Sequence, residues 1–136
     1  MTDDSVLREI LTRYKRVAVV GMSKNPEKDA HTVPKYLLGR GFDVIPVNPT
    51  ATEILGRTAY PDLGSVPGGY DIVDVFRPSA DVPAIVDEAI RDGRAKVIWT
   101  QLGIGNDAAA RKAEAAGLTV VQGRCIRTEH LRLFGP

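Results

Sequence analysis

The sequence of 136 residues predicts an α/β fold, a doubly wound parallel sheet of about five strands with helices on both faces in three layers. Short apolar runs without polar alternation are typical of strands that are buried on both faces. Amphipathic segments with helical spacing alternate with these runs, which predicts right-handed β-α-β units. The length is below the roughly 150 residues of a typical domain unit, so we expect residues 1–136 to form one domain.

The apolar runs are the predicted strands, over residues 17–20, 44–47, 72–75, 97–99 and 118–121. Pro46 interrupts the second run. Because proline cannot donate to a strand ladder, we expect it near a strand end or where its nitrogen faces no partner. Trp99 is expected in the core.

The amphipathic segments are the predicted helices, over residues 4–14, 32–39, 82–92 and 107–116. Pro34 is expected in the first turn of the second helix, where no backbone N–H is needed. Helical patterning fails between residues 48 and 71, amid prolines and glycines. Since so long a structureless segment is uncommon in a small domain, we expect a short helix, an extra strand or a functional loop there.

Charge and cysteine content limit the classes of partner and compartment. Eighteen Lys and Arg residues against 17 Asp and Glu give a net charge of +1, too weak to favour nucleic acid or an acidic membrane. The single cysteine, Cys125, cannot form an internal disulfide or a multi-cysteine metal centre. The N-terminal segment lacks a signal-peptide pattern, and no apolar run is long enough to span a membrane. We expect a cytoplasmic protein that needs no metal.

Residues that directly follow the strands are the candidate ligand contacts, because open parallel sheets bind ligands at the carboxyl ends of their strands. Gly21 permits a tight turn, and the helix N-terminus that follows, with Lys28 nearby, suits a phosphate. The dinucleotide pattern GxGxxG is incomplete, since Ser23 and Pro26 stand where its later glycines belong. Asn48 stands where an acid would hold the ribose of NAD. A phosphate-bearing nucleotide other than a nicotinamide cofactor fits better.

Candidate catalytic residues are few. His31 and His130 are far apart in sequence, and His31 is expected at the surface or against a ligand rather than as a general base. Cys125 lies between Arg124 and Arg127 and is a candidate nucleophile, although a free cysteine is more often a small buried apolar residue. We assign no catalytic residue and lean against an enzyme.

Several segments resemble a known family. The stretches VAVVGMSKNPEKD, DVIPVNP, DIVDVFRP, VIWTQLGI and VVQGRCIRTEH resemble the small stand-alone CoA-binding proteins of bacteria and archaea. That family has a Rossmann-like fold similar to the CoA-binding domain of the succinyl-CoA synthetase α subunit. The resemblance runs through nearly the whole chain in order, and the combination of PVNP, VDVFRP and the terminal RC and EH pairs is specific.

The resemblance implies that coenzyme A lies across the carboxyl edge of the sheet. It assigns Gly21, Met22 and Ser23, with Lys28, to the pyrophosphate. Val47, Asn48 and Pro49 would border the adenosine, and Phe76, Arg77 and Pro78 would border the next stretch of the ligand. Gln101 and Gly103 would face the pantetheine. The sequence departs from the family pattern at Ser79–Ala80, where many relatives carry an arginine-rich stretch, and at Asp29–Ala30, where a Ser/Pro pair is common.

The function expected from this resemblance is binding of coenzyme A or an acyl-CoA by a non-catalytic carrier, sensor or regulatory protein. The alternative is an enzyme, either an NAD(P)-dependent oxidoreductase or an acyl-CoA transferase that uses Cys125. A third hypothesis is a module that regulates a larger protein partner. We expect neither a nucleic-acid nor a membrane partner, and a homodimer is left open.

Overall fold

Parallel strands form the centre of the computed structural model, which describes residues 2–136. In chain order the strands are β1 (Arg16–Val20), β2 (Asp43–Val47), β3 (Glu53–Ile54), β4 (Arg57–Thr58), β5 (Ile72–Val75), β6 (Val97–Thr100) and β7 (Thr119–Val121). The five-stranded sheet has the order β2-β1-β5-β6-β7 and is parallel throughout. Strands β3 and β4 pair separately as a short antiparallel hairpin.

Helices cover both faces of the sheet. They are α1 (Asp4–Arg13), α2 (Asp29–Gly39), α3 (Val82–Asp92), α4 (Asp107–Ala115) and α5 (Ile126–Phe134), with 3-10 turns η1 (Leu63–Ser65) and η2 (Ser79–Asp81). In β1, Val17 and Val19 face the core formed with α1, α2 and α5, whereas Ala18 faces the core formed with α3, α4 and η1. This alternation, apolar on both sides, confirms the predicted α/β fold.

The segment between residues 48 and 71 holds the β3–β4 hairpin and η1, so short elements do replace a structureless loop. Asp43 ties the hairpin to the sheet, because its carboxylate accepts hydrogen bonds from Arg16 of β1 and Arg57 of β4. Pro46 is the fourth residue of β2, an edge strand of the sheet. At an edge the missing N–H of proline leaves the ladder intact, as expected from the sequence.

Helix α2 begins at Asp29, three residues before the predicted start, so the expectation for Pro34 is wrong. Pro34 lies inside the helix and is buried. Since proline has no N–H, the carbonyl four residues earlier, that of Ala30, loses its helical donor. The backbone N–H of Ser23 donates to the Ala30 carbonyl instead, at 3.1 Å. A proline that interrupts the helix thus supplies an anchor for the loop after β1.

Asp74 is an acidic side chain that is fully buried in the middle of the sheet. Its Oδ1 accepts a hydrogen bond from Nε2 of Gln101, whose Oε1 accepts the backbone N–H of Ile126 at 3.3 Å. Within residues 2–136 the second carboxylate oxygen, Oδ2, has no hydrogen-bond partner. Burial raises the pKa of Asp74 to about 8, and the hydrogen bond from Gln101 only partly opposes that rise.

The variant Asp74→Asn is expected to stabilise the protein in a pH-dependent way. The folded-state pKa lies above the unfolded value, so the carboxyl stabilises the fold only while protonated, and that contribution is lost as pH rises from about 4 to about 8. Asparagine keeps the acceptor for Gln101 and does not titrate. We expect the variant and the unaltered protein to have equal melting temperatures at about pH 4. At about pH 9, we expect the variant to melt at least about 5 °C higher. Thermal unfolding across this range measures the difference, and a difference that is constant with pH would contradict the assignment.

Candidate ligand site at the carboxyl edge of the sheet

A cavity of about 390 Å³, which we call the edge cavity, opens at the carboxyl ends of β1 and β2. Strand β1 lies between β2 and β5, so the connection that leaves β1 runs toward β2 and the connection that leaves β5 runs the other way, toward β6. Such switch points are where open α/β sheets bind ligands. The edge cavity is lined by Val20, Gly21, Val47, Asn48, Pro49, Thr50, Pro61, Asp62, Arg77, Asp81, Ala84, Ile85 and Glu88.

Gly21 begins the loop after β1 with a φ of +88°, in the left-handed region that favours glycine. A Cβ at this position would lie 2.9 Å from Cδ of Arg77 and 2.9 Å from the carbonyl oxygen of Phe76. Any side chain would therefore collide with the connection that leaves β5. The backbone N–H of Gly21 is also engaged, since it donates to the Val47 carbonyl at 2.9 Å.

The rest of the loop after β1 is fastened to α2 through Ser23. The N–H of Ser23 donates to the carbonyl that Pro34 leaves free, and the Ser23 carbonyl lies 2.8 Å from Nδ1 of His31. Because a carbonyl oxygen can only accept, Nδ1 of His31 carries a proton. His31 is buried, so the structure places it under the loop rather than at the surface.

Asn48 joins the loops that follow β1 and β2. Its side-chain Nδ2 donates to the Met22 carbonyl at 2.8 Å, and its Oδ1 accepts both the N–H and the hydroxyl of Thr50, each at 2.8 Å. A carboxylate at this position could not donate to Met22. Asn48, which argues against NAD as the ligand because it replaces the usual acid, therefore links the loops after β1 and β2.

Arg77 places a guanidinium beside Gly21 at the mouth of the edge cavity. Its Nε and Nη2 donate to Oδ2 of Asp81 at 3.2 and 2.9 Å, and both side chains are about half exposed. Asp81 precedes α3, but its carboxylate caps no backbone N–H of that helix. An exposed pair of this kind contributes little stability, so the guanidinium is available to an anionic ligand.

The structure gathers Gly21, Val47, Asn48, Pro49 and Arg77 from the predicted contacts around the edge cavity. The other predicted residues lie outside its lining. The Met22 side chain is fully buried in the core, and the Gln101 side chain is occupied by Asp74 and Ile126. Ser23, Lys28, Phe76, Pro78 and Gly103 lie on the loops and helix starts at the same edge.

Residues of α3 and of the segment before η1 complete the edge cavity, and they were not predicted from the sequence. Asp81, Ala84, Ile85 and Glu88 recur at intervals of three and four, the spacing of one helical face. That spacing is visible in the sequence. It gives no sign, however, that this face is turned toward the carboxyl edge rather than wholly toward the core.

The candidate catalytic residues are not paired with one another. Cys125 is half-buried at the N-cap of α5 and packs against the core. His130 is buried, with Nδ1 2.7 Å from the hydroxyl of Tyr36, and burial with the positive charges of Arg40 and Lys15 lowers its pKa. Within residues 2–136, neither histidine forms a hydrogen bond with Cys125.

Among residues 2–136, no group of three or more His, Cys, Asp or Glu side chains is arranged to hold a metal ion. None of the helices described is both long and apolar enough to cross a bilayer.

Comparison with known proteins identifies the relatives of this chain. An uncharacterized protein of Bacillus subtilis, YneT, is 40% identical over 124 residues, which cover 91% of each chain. The ADP-forming acetate–CoA ligase II of Archaeoglobus fulgidus is 28% identical over 125 residues, covering 90% of this chain but only 18% of the ligase. A hypothetical protein from Pyrococcus horikoshii has the same fold, with a TM-score of 0.95, 47% identity and coverage of 98% of this chain and 94% of that chain.

These relatives refine the resemblance seen in the sequence. The ligase among them is an acetate–CoA ligase, whereas the resemblance in the sequence compared the fold of the stand-alone CoA-binding family with a domain of succinyl-CoA synthetase. The family described as CoA binding domain matches residues 15–131, nearly the whole of the sheet and its helices. This chain therefore belongs to the CoA-binding domain family.

Proposed function

We propose that this protein binds coenzyme A or an acyl-CoA in the edge cavity, as a non-catalytic carrier, sensor or regulatory protein. The observation that carries the proposal is the edge cavity itself. At a strand switch point it combines the loop backbone at Gly21, a guanidinium from Arg77 and apolar surfaces from Val47, Pro49 and Ile85. Membership of the CoA-binding domain family and the relationship to an acetate–CoA ligase support the same ligand.

The phosphates of coenzyme A belong at the end of the edge cavity formed by Gly21 and Arg77. Helix α2 begins nearby, and its N-cap, Lys28, makes no side-chain capping hydrogen bond. The first N–H groups of such a helix and its positive dipole end attract a phosphate. Lys24 and Lys28 are exposed on the same loop and add positive charge. Asp81 must then share or release Arg77 when a phosphate arrives.

The adenosine belongs against the apolar surfaces that border Asn48. Val47 and Pro49 flank Asn48 after β2, and Ile85 of α3 lines the edge cavity with them. The pantetheine arm then runs along Pro78 toward Gly103, which is exposed. Among residues 2–136, no neighbouring atom lies within 4 Å of the position that a Cβ would take at Gly103. The twelve predicted contacts thus divide into those around the nucleotide and those along the arm.

The non-catalytic role is the simpler assignment because, among residues 2–136, no histidine is hydrogen-bonded to the candidate nucleophile, Cys125. A cysteine nucleophile normally has a base within hydrogen-bond reach, and neither histidine fills that role for Cys125. The chain spans 18% of the acetate–CoA ligase it matches, so the activity of the larger enzyme needs residues outside this match. The single cysteine suits a reducing compartment such as the cytoplasm, where we propose that this protein binds coenzyme A.

Replacement of Arg77 by alanine is expected to weaken coenzyme A binding by about 10- to 100-fold, because a charge-assisted hydrogen bond to a phosphate is lost. Isothermal titration with coenzyme A, acetyl-CoA, NAD, NADP and ATP measures the affinities. The melting temperature of the ligand-free variant should stay nearly unchanged, since the Arg77–Asp81 pair is half exposed.

The matched control is Arg111→Ala, which removes an exposed arginine from α4 outside the edge cavity. It should leave the affinity for coenzyme A intact. Unchanged affinity in the Arg77 variant would refute the role of Arg77. Binding of NAD or NADP without coenzyme A would refute the proposed function.

Replacement of Pro34 by alanine is expected to loosen the loop after β1. The new N–H at residue 34 would compete with the Ser23 N–H for the Ala30 carbonyl. We expect coenzyme A affinity to fall by about 3- to 10-fold and the Ser23 amide to exchange its hydrogen faster, with little change in the melting temperature. Pro83→Ala is the control, because Pro83 lies in the first turn of α3, where no N–H partner is displaced. Slow exchange at Ser23 in the Pro34 variant would show that the competition does not occur.

A further inference from the structure

Two carboxylates in the edge cavity have no part in the proposed phosphate contacts. Asp62, before η1, and Glu88, on α3, both line the edge cavity. Glu88 is seven residues beyond Asp81 along α3, a rise of about 10 Å away from the Arg77 end. Carboxylates repel phosphates, so this end of the edge cavity must face a neutral part of the ligand that donates hydrogen bonds.

A hydrogen bond to one of its two carboxylate oxygens holds the Glu88 side chain in place. Its Oε2 accepts the backbone N–H of Leu63 at 3.3 Å. Within residues 2–136, its other oxygen, Oε1, accepts no hydrogen bond. Burial raises the pKa of Glu88, and the N–H of Leu63 opposes that rise. An acceptor that is partly removed from water gains from a donor supplied by a ligand.

Asp62 differs from Glu88 because its side chain caps η1. Its Oδ1 accepts the N–H of Ser65 at 2.9 Å. The side chain of Arg94 fixes the same turn, with Nη2 donating to the Leu63 carbonyl at 3.0 Å and Nη1 to the Val66 carbonyl at 2.7 Å. The backbone that orients Glu88 is therefore set before any ligand binds.

We infer that Glu88 accepts a hydrogen bond from the exocyclic amino group of an adenine ring and makes the edge cavity selective for adenine over 6-oxopurines. The ring would lie against Pro49, Pro61 and Ile85, which line the edge cavity between the two charged ends. This inference rests on the proposed function. It adds the residue that identifies the base.

The chemistry of purines makes the selection directional. Adenine presents an amino donor at its 6-position, whereas hypoxanthine and guanine present a carbonyl acceptor there. An acceptor facing a carboxylate oxygen leaves both groups desolvated without a hydrogen. Sites that hydrogen-bond one substrate group reject the analogue lacking it strongly, so the expected preference for adenine is about 10- to 100-fold.

The test compares coenzyme A with its deaminated analogue, in which hypoxanthine replaces adenine, by titration into the full chain. The unaltered protein should prefer coenzyme A by about 10- to 100-fold. In Glu88→Gln the amide oxygen can keep the Leu63 N–H, which turns the amide NH₂ toward the base. That variant should lose the preference or reverse it, because its NH₂ group suits the 6-oxo group.

Glu114→Gln is the matched control, since Glu114 is exposed on α4 outside the edge cavity and the preference for adenine should persist. Equal affinity of the unaltered protein for the two ligands would overturn the role of Glu88 and leave coenzyme A binding intact. A preference that persists in Glu88→Gln with an unchanged melting temperature would also overturn it. Failure to bind coenzyme A at all would overturn the proposed function itself. The comparison on the unaltered protein needs no variant to fold.

Discussion

The edge cavity depends on how the backbone of the loop after β1 is shared among its neighbours. The Gly21 N–H donates to the Val47 carbonyl, and the Ser23 N–H donates to the Ala30 carbonyl. The Met22 carbonyl accepts a hydrogen bond from the side-chain amide of Asn48. Two of these bonds tie the loop to the end of β2 and the residue after it, and the third ties it to α2, so the loop cannot move without disturbing one of these elements. The absence of a side chain at Gly21 lets the connection after β5 close over it. A ligand would meet a surface that is already arranged, which lowers the ordering cost of binding.

Charge in the edge cavity is divided in a way that the overall composition conceals. A net charge of +1 predicts no strong field, yet the cavity carries Arg77 near Gly21 and two carboxylates near η1. Helix α3 separates the two ends, because it carries Glu88 about two turns beyond Asp81, the residue before the helix that pairs with Arg77. A ligand that is anionic at one end and a neutral hydrogen-bond donor at the other matches this arrangement better than a simple phosphate does.

The sheet was predictable from the sequence because strands buried on both faces leave uninterrupted apolar runs. The start of α2 was not, since Lys28 at its N-cap gives no capping side chain to recognise and Pro34 imitates a first-turn proline. Sequence position also placed Met22 and Gln101 at the correct edge but could not show that both side chains turn into the core. Glu88 was missed because a helix returns it to the edge from 13 positions beyond the end of β5 at Val75.

The buried contacts of Gln101, at the carboxyl edge, bear on which part of a bound coenzyme A the protein would recognise. Gln101 joins the buried carboxyl of Asp74 to the first N–H of α5, so its amide is already satisfied at both ends. Around the predicted path of the pantetheine, Gly103 offers no side chain. In the proposed binding mode, the polar side chains assigned to recognition, Arg77 and Glu88, contact the nucleotide, and none is assigned to the thiol. A coenzyme A bound this way would be identified by its nucleotide, while the acyl group would be left largely unread. That distribution suits a carrier or sensor of the coenzyme better than an enzyme that must distinguish one acyl group from another.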